Sequence, residues 1–270
     1  MSADPAPAPE RSLWLIQLTD SHLFGTPDAT LLGMDTAESL RQVVTQVAAC
    51  HPRIDLLLAS GDLSQDGSVA SYQRFAELTR PLQAPARWYP GNHDEADVLQ
   101  ALCADDARRD TVVDLGSWRL ILLDSSQAGQ VAGHLDASQL TLLEQALQGA
   151  DGRPVLLSFH HHPLPVGCAW LDPIGLNNAE ALFAITDQYP NLKAILFGHV
   201  HQEVDLWRQG VRLLASPSTC VQFAPNSVDF AIDERLPGYR WLRLDADGQL
   251  HTGVERLAHF AWQPDLQRGY

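Results

Sequence analysis

Five short clusters of carboxylate, amide and imidazole side chains punctuate this chain, each directly behind an apolar run. Asp20-Ser21-His22 follows residues 13–19, Gly61-Asp62 follows 55–60, and Gly91-Asn92-His93-Asp94 follows 86–90. His160-His161-His162 follows 155–159, and Gly198-His199-Val200-His201 follows 194–197. Short apolar runs of this kind read as buried strands, and an open α/β sheet gathers its ligands beyond the carboxyl ends of its strands. The pattern therefore demands a fold in which several strand tips converge, and it stocks the point of convergence with donors for a polynuclear metal centre.

Helix signals fill the gaps between these runs. Asp35 and Glu38 have capping-box spacing ahead of Leu40, Val43, Val44 and Val47, which recur on one helical face, so a helix is predicted over 35–50. The same reasoning predicts helices over 68–80, 136–147 and 177–189. After His201 the pattern changes. Residues 204–208 and 211–215 flank Gln209-Gly210, and 239–244 and 249–255 flank Asp247-Gly248, so both pairs are predicted hairpins. Parallel units followed by antiparallel ones imply an α/β fold with two mixed β-sheets packed face to face and helices on the outside. The ligand clusters run from Asp20 to His201 without a composition break, which predicts one catalytic domain over 12–270. Residues 1–11, rich in Ala and Pro, are predicted to be a disordered tail.

The formal charge of −15, from 33 acidic and 18 basic side chains, repels the backbone of a long nucleic acid. A small phosphodiester is compatible with it, because two bound divalent cations reverse the local field. The expected partner is thus a small substrate, with no long nucleic acid and no membrane span. Cys50, Cys103, Cys168 and Cys220 are widely spaced and form no close pair of the kind that binds structural zinc. They read as small buried hydrophobes in a reducing compartment. Residues 2–10 have neither the basic start nor the apolar core of a signal peptide, so the cytoplasm is the expected location.

The donor types fit two-metal hydrolysis. Asp20 and His22 are two residues apart, as are His199 and His201, so in extended segments each pair leaves the same face and can reach one cation. Asp62 is suited to bridge two cations, since a carboxylate offers two oxygens. Asn92 adds a neutral oxygen that limits the anionic charge. A set of oxygen and nitrogen donors without thiolate suits Mn, Fe, Zn or Co, and the imidazoles argue against a purely Mg or Ca site. His93, beside Asn92, is placed to donate a proton to a leaving alkoxide while a water activated by the cations attacks phosphorus. Asp94 either orients His93 or makes a structural hydrogen bond.

Taken in order, the five clusters resemble those of the calcineurin-like metallophosphoesterase superfamily. Longer stretches narrow the likeness: Leu18-Thr19-Asp20-Ser21-His22-Leu23-Phe24, Gly61-Asp62-Leu63-Ser64-Gln65-Asp66, His160-His161-His162-Pro163-Leu164-Pro165 and Ser216-Pro217-Ser218-Thr219-Cys220-Val221-Gln222-Phe223. These resemble the bacterial class III 3′,5′-cyclic AMP phosphodiesterases, and the similarity runs from Leu15 to Gly269-Tyr270. The resemblance implies one metal held by Asp20, His22, Asp62 and His201, and another by Asp62, Asn92, His161 and His199. It also implies that Asn92, His93 and His22 meet the substrate. Within the triplet the family's ligand typically stands two residues before a proline, which selects His161, with His160 as the alternative and His162 as a turn residue or a support to the ligands.

The implied cofactors are two divalent ions, Fe2+ or Mn2+, with Zn2+ or Co2+ as alternatives. The implied reaction is hydrolysis of 3′,5′-cyclic AMP to 5′-AMP, with His93 protonating the departing 3′ oxygen. The alternative is a broader diesterase acting on 2′,3′-cyclic nucleotides or other small phosphodiesters. For the base, the candidate wall is the loop over 167–172 with Asn177 and Asn178, where Trp170 either stacks on the base or packs as an ordinary loop aromatic.

Overall fold

A computed structural model describes residues 11–104 and 106–265. The expected tail over 1–11 lies outside the described residues except for Arg11, which is exposed. In chain order the strands are β1 (Leu13–Leu18), β2 (Leu56–Ser60), β3 (Ala86–Tyr89), β4 (Val112–Leu115), β5 (Trp118–Leu122), β6 (Val155–Ser158) and β7 (Leu192–Phe197). They continue as β8 (Val204–Arg208), β9 (Val211–Ala215), β10 (Gln222–Phe223), β11 (Ile232–Asp233), β12 (Gly238–Leu244) and β13 (Leu250–Arg256). The α-helices are α1 (Thr36–Cys50), α2 (Val69–Thr79), α3 (Ala96–Leu102), α4 (Ala137–Gln148) and α5 (Ala179–Thr186).

Two mixed sheets result, of order β13-β12-β1-β2-β3 and β4-β5-β6-β7-β9-β8, with β10 and β11 as a separate pair. In the first sheet β1, β2 and β3 run parallel, and β12 and β13 add antiparallel strands at one side. In the second, β5, β6, β7 and β9 run parallel, with β4 and β8 antiparallel at the edges. Both predicted hairpins are present. The first folds back so that β9, not β8, lies against β7.

Strand alternation sorts each run into two layers. Leu13, Leu15, Leu56 and Leu58 join Trp118, Leu120, Leu122, Leu156, Leu196 and Leu214 in one buried cluster between the sheets. Their neighbours in sequence face outward, where Ile16, Leu18 and Leu57 meet α1 and α2, and Ile121, Leu157 and Phe159 meet α4 and α5. Asp35 caps α1 by accepting from the Glu38 amide at 2.9 Å. The predicted stripe of Leu40, Val43, Val44 and Val47 is buried, and each such side chain contributes roughly 1.5–3 kcal/mol by leaving water. Ser68 and Asp136 cap α2 and α4 in the same way. The helix predicted over 177–189 is shorter, ending at Thr186 and beginning only at Ala179, where Asn178 uses its side chain to hold Leu135.

This layering aims five strand ends at one place. β1, β2 and β3 deliver their loops from one sheet, and β6 and β7 deliver theirs from the other.

Candidate metal centre

The loops that carry the donors are bent sharply. Asp20, His22, Asp62, His199 and His201 have φ of 54°, 46°, 49°, 65° and 49°, all in the left-handed region. Such backbone costs on the order of 1–3 kcal/mol per residue and persists only where its surroundings enforce it. The two pairs spaced two apart therefore do not share a face through the extended alternation that the spacing predicts; tight left-handed turns bring them together instead. A ladder of main-chain bonds holds the first turn against the second. The amides of Asp20, His22 and Leu23 donate to the carbonyls of Gly61, Asp62 and Leu63 at 3.0, 2.9 and 3.0 Å. Glycine is required at position 91, where a Cβ would stand 2.2 Å from Asp62 Oδ1 and 2.7 Å from His160 Nε2.

Three groups of donor atoms form, each lying within 4.8 Å: Asp20, His22 and His201; His22, Asp62 and His93; Asp62, His160 and His199. All these side chains are buried except His93, which is half-buried. Asp62 belongs to two groups and lies between the strand tips of the two sheets. The carboxylates are aimed by backbone amides. His199 N–H donates to Asp20 Oδ1 at 3.0 Å, and His93 N–H donates to Asp62 Oδ1 at 2.8 Å.

The imidazoles are oriented from behind. His22 Nδ1 faces Gln65 Oε1 at 2.5 Å, His201 Nδ1 faces the Val221 carbonyl at 2.7 Å, and His160 Nδ1 faces the Ser60 carbonyl at 2.8 Å. An oxygen acceptor at Nδ1 takes that ring proton and leaves the Nε2 lone pair for a cation. The Nε2 atoms of His22 and His201 stand 3.1 Å apart, and His160 Nε2 is 3.2 Å from Asp62 Oδ2. Asn92 Oδ1 and His199 Nε2 are buried polar atoms without a hydrogen-bond partner. Orphaned lone pairs and two buried carboxylates both call for compensating positive charge, so the donor set fits metal cations.

Burial dominates the titration of several of these groups, pushing the His22 and His161 imidazoles down to about 3 and lowering His199 well below its usual value. Neutral imidazole is the form that donates a lone pair. At His160 burial acts in the same direction, but the charges of Asp62 and Asp20 and a hydrogen bond to Asp62 outweigh it and raise the ring to about 10. Burial likewise opposes ionisation of Asp62, yet His160 and His93 hold its carboxyl well below the usual range.

The triplet departs from expectation. His160, not His161, faces the carboxylates. His161 Nδ1 pairs with Ser125 Oγ at 2.8 Å and its Nε2 with the Val131 carbonyl at 3.0 Å, which occupies both ring nitrogens. Strand alternation supplies the reason and the signal that would have found it. His160 has the parity of Leu156 and Ser158, which face the gap between the sheets, whereas His161 has the parity of Leu157 and Phe159, which face α4 and α5. Of the two roles considered for Asp94, the structural one is present. Its carboxylate accepts from the amides of Leu63, Ser64 and Gly91 at 3.2, 3.0 and 2.9 Å, clamping the third loop to the second. Burial and the nearby Asp62 raise Asp94 to about 7.

Nothing in the sequence context of Gln65 distinguishes an orienting amide from a surface one. Trp170 packs against Phe223 and Phe230 and gives its indole N–H to Ser227 Oγ at 3.1 Å. Asn177 pairs with His134 and Asn178 with Leu135, so both lace neighbouring loops together.

The family pattern described as Calcineurin-like phosphoesterase matches residues 13–203, the span that holds every donor named above. The chain belongs to the calcineurin-like phosphoesterase family. The 3′,5′-cyclic adenosine monophosphate phosphodiesterase CpdA of Pseudomonas aeruginosa is 54% identical over 259 residues, covering 96% of this chain and 95% of the relative. The protein of the same name from Escherichia coli (strain K12) is 44% identical over 269 residues, covering 97% of each. Among solved structures, a dimetal phosphatase from Danio rerio aligns with a TM-score of 0.62 at 16% identity, covering 90% of this chain and 98% of that one, a likeness of fold.

Proposed function

We propose that this protein is a metal-dependent phosphodiesterase that hydrolyses 3′,5′-cyclic AMP to 5′-AMP, acting as one catalytic unit over residues 12–270. The observation that carries this reading is the sharing of Asp62 between two donor groups, one fully buried and the other closed by the half-buried His93. The names of the full-length bacterial relatives support the choice of substrate. One cation is assigned to Asp20, His22, Asp62 and His201, and a second to Asp62, Asn92, His160 and His199. Nitrogen and oxygen donors without thiolate favour Fe2+ or Mn2+, with Zn2+ and Co2+ as alternatives. When bound, two such cations supply Lewis acidity to the phosphoryl oxygens and lower the pKa of water.

The chain's own residues do the rest. Asn92 limits the negative charge of the donor set, which favours an anionic diester. His22 and His93 stand with ring centroids 4.9 Å apart, edge to face, so a phosphate seated at the centre meets both. A water attacks phosphorus and gives up a proton to solvent, the bond from phosphorus to the 3′ oxygen breaks, and His93 delivers the proton that the departing oxygen needs. His93 is the more open of the two rings, as a group that must exchange protons with solvent should be. The proposed compartment is the reducing cytoplasm, on four cysteines that form no disulfide. Among the described residues no helix is long and apolar enough to cross a membrane.

Chromatography of products from 3′,5′-cyclic AMP, with protein loaded with Mn2+ or Fe2+ and with protein treated with chelator, tests the proposal. The expected result is 5′-AMP as sole product, abolished by chelation and restored better by Mn2+ or Fe2+ than by Mg2+. Absence of turnover, or 3′-AMP as the product, contradicts it.

A further inference from the structure

Beside His201 the fold builds an aromatic stack larger than a metal ligand needs. Phe223 lies flat on the His201 ring, with centroids 4.1 Å apart and planes 10° from parallel. Trp170 meets Phe223 nearly edge-on at 5.0 Å, and Phe230 meets both rings, at 5.6 Å from Phe223 and 5.2 Å from Trp170. The mount is tied down on several sides. Trp170 donates its indole N–H to Ser227 Oγ at 3.1 Å, the Ala169 amide donates to the Ser227 carbonyl at 3.0 Å, and the Ala224 amide closes the loop on the Ala231 carbonyl at 2.8 Å. Phe223 is buried, but Phe230 is 38% exposed and its neighbour Val228 is 74% exposed. The stack therefore runs from a proposed metal ligand to solvent and ends in a phenyl ring two ring contacts from His201.

We infer that Phe230 is the surface on which the purine base of the substrate stacks, held in place by Trp170 and Phe223; this rests on the cyclic-nucleotide reading given above. A nucleotide whose phosphate is seated at the centre must lodge its base a short distance away, and an aromatic ring offers any purine a complementary π face. An aromatic lip also does not repel an anionic ligand. A cavity of about 200 Å³ beside Asn92 has the acidic residues Glu95 and Asp97 in its lining, which disfavours an anionic ligand there. Stacking reads the ring system, not its hydrogen-bonding edge, so Phe230 favours purine cyclic nucleotides over base-free diesters and discriminates weakly between adenine and guanine.

The test uses Phe230→Leu, which keeps apolar packing against Trp170 and Phe223 but removes the π face, and Phe230→Trp, which keeps it. Kinetics are measured on 3′,5′-cyclic AMP, 3′,5′-cyclic GMP and a base-free methyl riboside 3′,5′-cyclic phosphate, and 5′-AMP affinity is measured by calorimetry. Phe230→Leu should raise KM for both nucleotides by about tenfold or more and weaken 5′-AMP to match. The base-free substrate should be unaffected, and Phe230→Trp should keep wild-type KM. Unchanged KM in Phe230→Leu, or an equal rise on the base-free substrate, overturns the inference while leaving the functional reading standing. Failure of the wild-type protein to turn over either nucleotide overturns both.

Discussion

Gln65 gives the sharpest quantitative prediction, because it is a side chain that orients a metal ligand without being one. The acceptors behind His160 and His201 are backbone carbonyls, which no substitution removes, whereas the acceptor behind His22 is the Gln65 amide oxygen at 2.5 Å. Gln65→Leu deletes that acceptor at similar volume. The His22 ring is fully buried, so its Nδ1 proton then has two options. It can stay unsatisfied, at a cost of about 1–3 kcal/mol. Otherwise it moves to Nε2, toward His201 Nε2 at 3.1 Å and Asp62 Oδ2 at 3.8 Å, where it blocks the lone pair a cation requires.

Loss of an orienting partner of this kind typically weakens metal binding by about 10–100-fold, equivalent to about 1.4–2.7 kcal/mol. The loss should fall on one cation, because His22 is assigned to one position only. Competition titration of Mn2+ against a chelator on metal-free protein should show one equivalent weakened by that factor and the other nearly unchanged. Gln65→Glu, which restores a stronger acceptor, should bind at least as tightly as wild type. If Gln65→Leu bound both equivalents with wild-type affinity, the reasoning about ring orientation would be refuted.

Three further outcomes follow from the same geometry. His160→Ala should lose about one metal equivalent by elemental analysis while His161→Ala keeps both, since only the first ring faces Asp62. Asn92→Ala should weaken metal and phosphate binding, whereas His93→Ala should retain metal and lower kcat by about 10²–10⁴-fold, the usual range for a lost proton donor. Gly91→Ala places a methyl group 2.2 Å from Asp62 Oδ1, so metal content and melting temperature should both fall.

The parts of this molecule that depend on local chemistry are those its sequence expresses. Asp35 announces α1 because a cap needs only three residues of context, and the five strand tips are visible because an apolar run ending in a polar donor is a local event. The inserted position of β9 between β7 and β8 is not local, since it depends on which edge of a completed sheet accepts the hairpin. Helix α3 is seven residues long and lacks a side-chain cap bond, so it rests on packing of Leu99 more than on any signal of its own. At the histidine triplet the spacing to Pro163 points to His161 and strand parity points to His160. Parity prevails because Phe159 is committed to the core and fixes which way its neighbours point. The left-handed turns at Asp20, His22, Asp62, His199 and His201 use residue types that enter this region more readily than most, but that weak preference does not by itself place them. They are imposed by loops from two sheets meeting over a small volume.

Anomalous scattering from crystals of the Mn2+-loaded protein tests the central claim most directly. Two manganese peaks are predicted, about 3.5–4 Å apart, with Asp62 between them and His160 on the same ion as His199. A single peak, or two peaks that do not share Asp62, would contradict the account.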